Sequence, residues 1–300
     1  MTEIWQVGFC RRAIETIFNP PPLDKAPIIW LPRLKSYCFI ADPFGVVEND
    51  RLTIFVEYYD YRTRCGDIRY YQYNDSNELI DQGIALSCPF HLSYPVILKD
   101  GGDYYMLPEA HKSGALTLYK AETFPHKWCE VAVLLDQPAI DATPVFFAQK
   151  WWLFYALPGD EGRAMNELHL AYADQLTGPW QTHPLNPVLT GRHISRPGGL
   201  PFIINERLYL PVQDCSTTYG GGLNLIIIDQ LSPEGFSAHL CHSMTAEGLN
   251  PDFKDGCHTL SWARSDTQNV LMIDVKHDYH SPMVHWVRLV HRFKLWKAKT

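Results

Sequence analysis

The stretch ADPFGVVENDRLTIFVEY (Ala41–Tyr58) joins a polar start and a proline to an apolar run, a turn and an aromatic-rich run that ends near a carboxylate. Three later stretches repeat this pattern from Ser93, Ala142 and Ser195. A repeat of about fifty residues built from hairpins is typical of propeller blades. After Gly256, two more extended runs flank a polar turn. The sequence therefore predicts an all-β protein, a five-bladed β-propeller with blades starting near residues 41, 93, 142, 195 and 256.

The spacing inside the repeat is also regular. Glu57 lies fourteen residues after Pro43, and Glu109 lies fourteen residues after Pro95. Counted in the same way from Pro144 and Pro197, the third and fourth copies have Pro158 and Pro211 at this offset. The regularity predicts the same place in each blade for these residues.

The repeat predicts one propeller domain over residues 1–300, because a single blade cannot bury both of its faces. Residues 1–40 are expected to be an entry segment that helps to close the ring, with a short strand at Trp5–Phe9. The alternating run MVHWVRLVHRF from Met283 is expected to supply partner strands for this closure. Its side chains Val284, Trp286 and Leu289 would then face inward.

The composition argues against several kinds of partner. A net charge of −7 disfavours binding to nucleic acid, which needs a basic surface. No run of eighteen apolar residues is present, so no membrane span is expected. Glu3, Arg11 and Arg12 do not fit a signal peptide, and the eight scattered cysteines suggest free thiols. We expect a cytoplasmic protein.

The repeat also predicts where polar side chains meet. In a propeller the start of the first strand and the end of the second strand of each blade lie on the same rim. This rule gathers Asp42, Glu57, Tyr94, Glu109, Asp141, Arg196 and Asp214, and the fifth blade adds His258 and either His277 or Asp274. Converging carboxylates, imidazoles and an arginine are typical of a site for a polar ligand or a sugar.

The carboxylates are the candidate catalytic groups. Asp42 precedes a proline, so an extended backbone is expected there, and Asp141 occupies the corresponding place in the third blade. Glu57 or Glu109 could donate a proton if burial raises its pKa. The alternatives are that Asp42 caps a turn or strand and that the two glutamates anchor loops through backbone N–H groups.

The remaining candidates are substrate-binding residues. Arg196 could bind a carboxylate, a phosphate or vicinal hydroxyls, or it could form a salt bridge with Asp214 or Asp141. Tyr219 could stack on a sugar ring or pack between blades. His258 could bind water or a cation, although a lone histidine is more often a satisfied core residue. No other cofactor and no dedicated metal site are expected.

The phrases ADPF, IDATPVFFAQKWWLFYA, LTGPW and GCHTLSW resemble the five-bladed propellers of glycoside hydrolase family 43. That resemblance implies a general base at Asp42, a residue that tunes pKa and orientation at Asp141, and a channel histidine at His258. The family's general acid is a glutamate at the start of the fourth blade. Here Arg196 stands in that place, which argues against ordinary hydrolysis.

A resemblance over nearly the whole chain is to the propeller module at the N-terminus of plant glucosamine inositolphosphorylceramide transferases and in bacterial polysaccharide-cluster proteins. It is carried by FIADPF, FHLSYPVI, YYMLPE, HPLNPV, SRPGG, PVQDCSTTYGGG and HTLS, and His91 in the second phrase joins the candidate binding residues. The resemblance implies a role in glycan assembly or modification, with a carbohydrate or nucleotide-sugar ligand and a partner glycosyltransferase or formyltransferase.

Two functions therefore remain open, and a third, a structural scaffold without a ligand, explains poorly why polar residues recur at the rim. The first is a sugar-active enzyme with Asp42 as base or nucleophile and with Glu109 or Glu57 replacing the missing acid. The second is a non-catalytic module that binds a glycan or nucleotide sugar and positions it for a partner enzyme.

Overall fold

The computed structural model describes residues 2–18, 23, 26–35, 37–279, 286–287 and 289–291. The chain begins with strand β1 (Thr2–Cys10), a 3-10 helix (Ile14–Phe18) and strand β2 (Ile29–Trp30). The strands between residues 38 and 244 form four antiparallel sheets along the chain, and β1 and β2 share a fifth sheet with the two strands between residues 260 and 279. The described part of the chain thus forms the five-bladed β-propeller that the repeat predicts.

The first two blades each contain four strands. Blade one has the order β3 (Cys38–Glu48), β4 (Arg51–Asp60), β5 (Cys65–Tyr73) and β6 (Leu79–Leu86). Blade two has the order β7 (Ser93–Asp100), β8 (Asp103–Glu109), β9 (Leu116–Thr123) and β10 (Lys127–Leu135), with a 3-10 helix at His111–Ser113.

The next two blades each include a fifth, short strand. Blade three consists of β11 (Ile140–Phe147), β12 (Lys150–Ala156), β13 (Glu167–Ala173), β14 (Gln181–Thr182) and β15 (Leu189–Thr190), with helix α1 at Glu161–Ala164. Blade four consists of β16 (Arg196–Pro197), β17 (Phe202–Ile204), β18 (Arg207–Asp214), β19 (Gly222–Ser232) and β20 (Gly235–Met244).

Blade five is made from both ends of the described chain. Its inner strands are β21 (Leu260–Arg264) and β22 (Asn269–Tyr279), and its outer strands are β1 and β2. Strand β1 pairs with β22 along its whole length, from Thr2 opposite Tyr279 to Cys10 opposite Leu271. The strand expected at Trp5–Phe9 is therefore confirmed, and it closes the ring.

The run from Met283 was expected to supply strands that close the ring, and this prediction is wrong for the part of the run that the structure describes. Residues 286–287 and 289–291 are helical, and Trp286 and Leu289 are 64% and 66% exposed rather than inward-facing. The physical reason is that β1 already occupies the edge of β22. Met283 and Val284 lie outside the described residues.

The inner strands form a ring around the axis. Strand β3 contacts β21 on one side and β7 on the other, and β11 contacts β7 and β16. A bridge between Gly199 and Leu260 joins blade four to blade five. Apolar clusters lie between neighbouring blades, so the core is distributed around the ring. No helix in the described part of the chain is long and apolar enough to span a bilayer.

The inner strands of the first three blades begin with the same irregularity. The register shifts after Ala41, Ser93 and Ile140, and the next residues, Asp42, Tyr94 and Asp141, have positive φ of 52°, 45° and 49°. The extended backbone expected at Asp42 is therefore wrong, because the residue lies in a bulge. Such strain costs on the order of 1–3 kcal/mol per residue and is concentrated at functional sites.

Candidate functional site

A cavity of about 180 Å³ opens where the inner strands begin. Five of the residues that line it are acidic: Glu3, Asp42, Glu57, Glu109 and Asp141. The other lining residues are Trp5, Phe39, Tyr59, His91, Ser93, Arg196, Tyr219 and His258. We call this space the axial cavity. The predicted rim is thus a concave and strongly acidic site.

Asp42 is held by both of its carboxylate oxygens. Thr259 Oγ1 donates to Oδ1 at 2.9 Å, and the backbone N–H of Tyr94 donates to Oδ2 at 3.1 Å. Burial raises the pKa of Asp42, although the charge of His258 opposes the rise. The bulge therefore presents a carboxyl group in one fixed orientation at the cavity wall.

Asp274 organises the fifth blade behind Asp42. Its side chain accepts hydrogen bonds from the backbone N–H groups of His258, Thr259 and Asp42 at 2.9, 3.0 and 3.1 Å. His258 Nδ1 lies 2.6 Å from Asp274 Oδ2, and Nε2 lies 3.5 Å from Asp42 Oδ1. Burial lowers the pKa of His258, but Asp274 and Asp42 outweigh it, so the net direction is upward. His258 therefore lies between two carboxylates that favour its charged form.

Asp42, His258 and Asp274 could jointly hold a metal ion, because one ligand atom from each lies within 4.8 Å of the others. Among the described residues they form the only such group. Both oxygens of Asp274, however, already accept hydrogen bonds from protein N–H groups. His258 also contacts Asp274 at 2.6 Å and Asp42 at 3.5 Å. Within this cluster, the donors of the protein therefore already occupy Asp274.

Asp141 and Arg196 contact each other in the wall of the cavity. Arg196 Nε and Gln213 Nε2 both donate to Asp141 Oδ2 at 2.7 Å. Burial raises the pKa of Asp141 to about 8 against the opposing charge of Arg196, and Glu109 and Asp42 add to the rise. The salt-bridge alternative for Arg196 is thus the observed contact, with Asp141 as partner, although Arg196 also lines the cavity.

Glu57 and Glu109 occupy equivalent registers, opposite Ala41 and Ser93. Burial, and then the charges of Asp42, Glu109 and Asp141, raise the pKa of Glu57 well above its usual range. Burial also acts against ionisation of Glu109, but hydrogen bonding from His111 at 2.7 Å and the charge of Arg196 outweigh it and lower the pKa. The surroundings therefore favour the neutral form of Glu57 and the ionised form of Glu109.

His91 lies beside Glu57. The backbone N–H of Gly66 donates to His91 Nδ1 at 2.8 Å, and burial lowers the pKa of His91 to about 4. The neutral ring therefore carries its proton on Nε2, which lies 3.5 Å from Glu57 Oε1. His91, predicted as a binding residue, lies against the wall of the cavity.

An aromatic wall faces the carboxylates. The Trp5 indole stacks on His258 with ring centroids 3.8 Å apart, and Tyr219 packs edge-on against both rings. The buried Lys276 ammonium donates to the Tyr219 carbonyl at 2.8 Å. At Gly220, a Cβ atom would lie 2.7 Å from the Trp5 ring, so only glycine permits this close approach. The glycine run thus allows Tyr219 to cover the cavity.

The structure brings most of the predicted residues together. Eight of them line the axial cavity: Asp42, Glu57, His91, Glu109, Asp141, Arg196, Tyr219 and His258. Tyr94, Asp214 and His277 are not among its lining residues. The Tyr94 hydroxyl is buried against Thr143 and Gly199, Asp214 accepts from the backbone of Ser216, and His277 lies near Asp255 beside another cavity.

Several residues of the site were not predicted from the sequence, among them Glu3, Trp5, Ser93, Gln213 and Thr259. Gln213 lies opposite Arg196 at the end of β18, the register that Glu57 and Glu109 hold in their blades. The proline offset pointed to Pro211 instead, because blade four contains extra residues around Gly198–Gly199. Glu3 and Trp5 carried no signal, since their strand lies before the first copy of the repeat.

Comparisons with known proteins agree with this architecture. A profile of the family described as glucosamine inositolphosphorylceramide transferase 1, N-terminal, matches residues 33–249. That range contains blades one to four, whereas β21, β22, β1 and β2 of blade five lie outside it.

Among curated proteins, glucosamine inositolphosphorylceramide transferase 1 from Oryza sativa subsp. indica is 39% identical over 204 residues, which are 66% of this chain and 27% of that protein. The protein of the same name from Arabidopsis thaliana is 34% identical over 202 residues. These residues are 66% of this chain and 26% of the Arabidopsis protein. The chain therefore spans about a quarter of the length of these relatives.

Among solved structures, a family 43 β-xylosidase/α-arabinofuranosidase from a compost metagenome aligns with a TM-score of 0.57 and 13% identity. The alignment covers 84% of this chain and 95% of the enzyme. At this identity the similarity shows the fold alone.

Proposed function

This chain belongs to the family defined by the N-terminal region of glucosamine inositolphosphorylceramide transferase 1, and we propose that its axial cavity binds a sugar and cleaves or transfers a glycosyl unit. The observation that supports this proposal most strongly is that Glu57 and Glu109 line one cavity in surroundings that raise the pKa of Glu57 and lower that of Glu109. Pairs of carboxyl groups whose environments separate their pKa values are typical of glycosidic acid–base chemistry.

In this proposal Glu57 is the general acid. Its proton passes to the leaving oxygen as the glycosidic C–O bond breaks. Asp42 or Glu109 acts as base, taking the proton from the attacking water or hydroxyl, or as nucleophile at the anomeric carbon. Asp141 and Arg196 keep the opposite wall polar. Glu57 thereby takes the role for which the fourth blade has no glutamate.

The lining also favours a class of sugar. The carboxyl group of Glu109, whose pKa is lowered, lines a cavity of about 180 Å³, where it would attract a cationic group, and an amino sugar carries one. The name of the curated relatives refers to glucosamine, which is such a sugar. We therefore propose an amino sugar as the bound unit. The cytoplasmic location expected from the sequence stays a prediction.

Turnover tests the catalytic proposal. Purified protein is incubated with aryl glycosides and nucleotide derivatives of glucosamine and N-acetylglucosamine, and released product is measured. Wild type should yield product, and Glu57→Gln and Glu109→Gln should each lower kcat by about 100-fold or more, the usual contribution of a general acid or base. The matched control is Glu122→Gln, an exposed glutamate that pairs with Lys127. Wild-type turnover in both cavity variants would contradict the proposal.

A non-catalytic role is the second candidate. It is favoured by the engagement of Arg196 with Asp141, and by the fact that the curated relatives extend far beyond the length matched here. The module would then bind a glycan or nucleotide sugar and position it for a partner glycosyltransferase or formyltransferase. Sugar binding without any product from the purified protein would support this role, and a detected product would exclude it.

A further inference from the structure

The guanidinium of Arg196 has an edge that the protein itself does not use. Its Nε donates to Asp141 Oδ2 at 2.7 Å, and its central carbon lies 5.0 Å from the centroid of the Tyr219 ring. The two Nη nitrogens carry four of the five N–H donors. Neither has a hydrogen-bond acceptor among the residues that the structure describes, and neither is fully buried. We call these two nitrogens of Arg196 the Nη edge.

The Nη edge belongs to a side chain that is both buried and held in place. Arg196 is only 9% exposed, and it lines the axial cavity. Its partner Asp141 is fixed by Gln213, whose Nε2 donates to Asp141 Oδ2 at 2.7 Å and to the Pro197 carbonyl at 2.9 Å. Buried N–H donors in proteins normally have acceptors. The Nη edge is therefore positioned to donate to a molecule that enters the cavity.

The neighbour of this edge decides which chemical group suits it. The backbone N–H of Asp141 donates to Glu109 Oε2 at 3.3 Å, so Glu109 is the next carboxyl group along the cavity wall. Burial opposes the ionisation of Glu109, but His111 and Arg196 outweigh it and lower its pKa. A carboxylate or phosphate bound to Arg196 would lie near this negative charge, and like charges placed side by side weaken binding.

A hydroxyl group suits both Arg196 and Glu109. Its oxygen accepts a hydrogen bond from the guanidinium, and its proton can be donated to the carboxylate. The guanidinium also presents its N–H groups in one plane, which suits two oxygens that lie side by side. Two hydroxyls on adjacent ring carbons provide such a pair of oxygens.

We propose that the Nη edge binds two vicinal hydroxyls of the sugar, so that Arg196 makes the axial cavity specific for a ring that carries this pair. The inference rests on the proposed function, and it deepens it by naming the hydroxyls that the substrate must have. In glucosamine, whose amino group is on C2, the vicinal pair is 3-OH and 4-OH. Of the three groups that Arg196 could bind, the geometry thus selects vicinal hydroxyls over a carboxylate or a phosphate.

Titration of the full chain with glucosamine, 3-deoxyglucosamine and 4-deoxyglucosamine tests the proposal, with affinities measured by ligand-observed NMR. Wild type should bind each deoxy sugar about tenfold more weakly than glucosamine, because a hydrogen bond to a charged donor contributes about this factor. Arg196→Lys keeps the positive charge beside Asp141 but removes the planar fork. This variant should bind the three sugars with about equal affinity.

The matched control is Arg192→Lys. Arg192 is a half-buried arginine whose Nε donates to the Cys215 carbonyl at 2.9 Å, and it is not among the residues that line the axial cavity. This variant should retain the wild-type preference for glucosamine over both deoxy sugars. Circular dichroism and melting curves check that both variants fold.

Two results with wild type alone would overturn the inference, whether or not the variants fold. These are equal affinity for glucosamine and both deoxy sugars, and no binding of glucosamine at all. Tighter binding of glucuronic acid than of glucose would also overturn it, because Arg196 would then hold an anion. An unchanged preference in Arg196→Lys would assign the hydroxyls to other side chains. Failure of the proposed function would instead appear as unchanged turnover in Glu57→Gln and Glu109→Gln, which is measured without the deoxy sugars.

Discussion

At the scale of single residues, Glu57 and Glu109 show how neighbours decide chemistry. They share a register in adjacent blades, but His111 and Arg196 favour the charged form of Glu109. Burial and surrounding carboxylates favour the neutral form of Glu57. The proline offset predicted that both would reach one rim. It could not predict their charge states, because these depend on partners from other blades.

The first prediction concerns the stability of Glu57→Gln. Glutamine replaces a carboxyl group whose ionisation the fold opposes, so the variant should melt at or above the wild-type temperature at pH 8. For a domain of this size, each kcal/mol of stability corresponds to about 2–4 °C in Tm. Thermal unfolding measures the difference, with Glu122→Gln as the exposed control. A loss of more than about 5 °C would show that Glu57 is ionised and structurally required.

A second prediction is the pH dependence of wild-type stability. The pKa values of Glu57 and Asp141 are raised in the folded state, to about 8 for Asp141, so the folded protein binds more protons than the unfolded chain. Their contribution is fully present below the unfolded pKa and is lost as pH rises. The raised pKa of His258 acts in the same direction. Below about pH 6.5 the lowered pKa of His91, about 4 in the folded state, acts in the opposite direction. Tm should therefore fall between about pH 7 and pH 8, and a rise over this range would contradict these charge states.

At the scale of elements, the bulge that opens the inner strands explains what the repeat could and could not predict. Asp42 and Asp141 occupy the same bulge position, as their sequence places suggested. Pro43 and Pro144 do not occupy equivalent positions. Pro43 directly follows Asp42, whereas Pro144 is the third residue after Asp141 and pairs with Leu153. Strand hydrogen bonding sets the register, and proline spacing follows it only approximately. This is why Gln213 was missed.

Strand β1 is the element that closes the ring, and its core residues allow a direct prediction. Phe9 is fully buried against Tyr73, with ring centroids 4.8 Å apart. Phe9→Ala should lower the free energy of unfolding by about 3–5 kcal/mol, the usual cost of emptying an aromatic core position. Chemical denaturation measures the loss. Phe18→Ala, at a ring 38% exposed, should cost much less. A loss in Phe9→Ala no larger than about 1 kcal/mol would contradict the role of β1 in closing the ring.

At the scale of the whole molecule, the site depends on both ends of the described chain. Glu3 and Trp5 come from β1, whereas His258, Thr259 and Asp274 come from β22 and from the residues just before β21. Five blades and most of the carboxylates could be predicted from the repeat, because they lie inside it. The contribution of Trp5 could not, since it follows from how the two ends pair in blade five.

The axial cavity as a sugar site is the central claim, and a crystal structure of the protein with glucosamine tests it most directly. We expect a sugar ring in the axial cavity, beside Trp5 and Tyr219, with its hydroxyl or amino groups within hydrogen-bond distance of Glu57, Glu109 or Asp42. A sugar bound elsewhere, or an axial cavity without sugar at a glucosamine concentration that saturates the protein in solution, would contradict the claim.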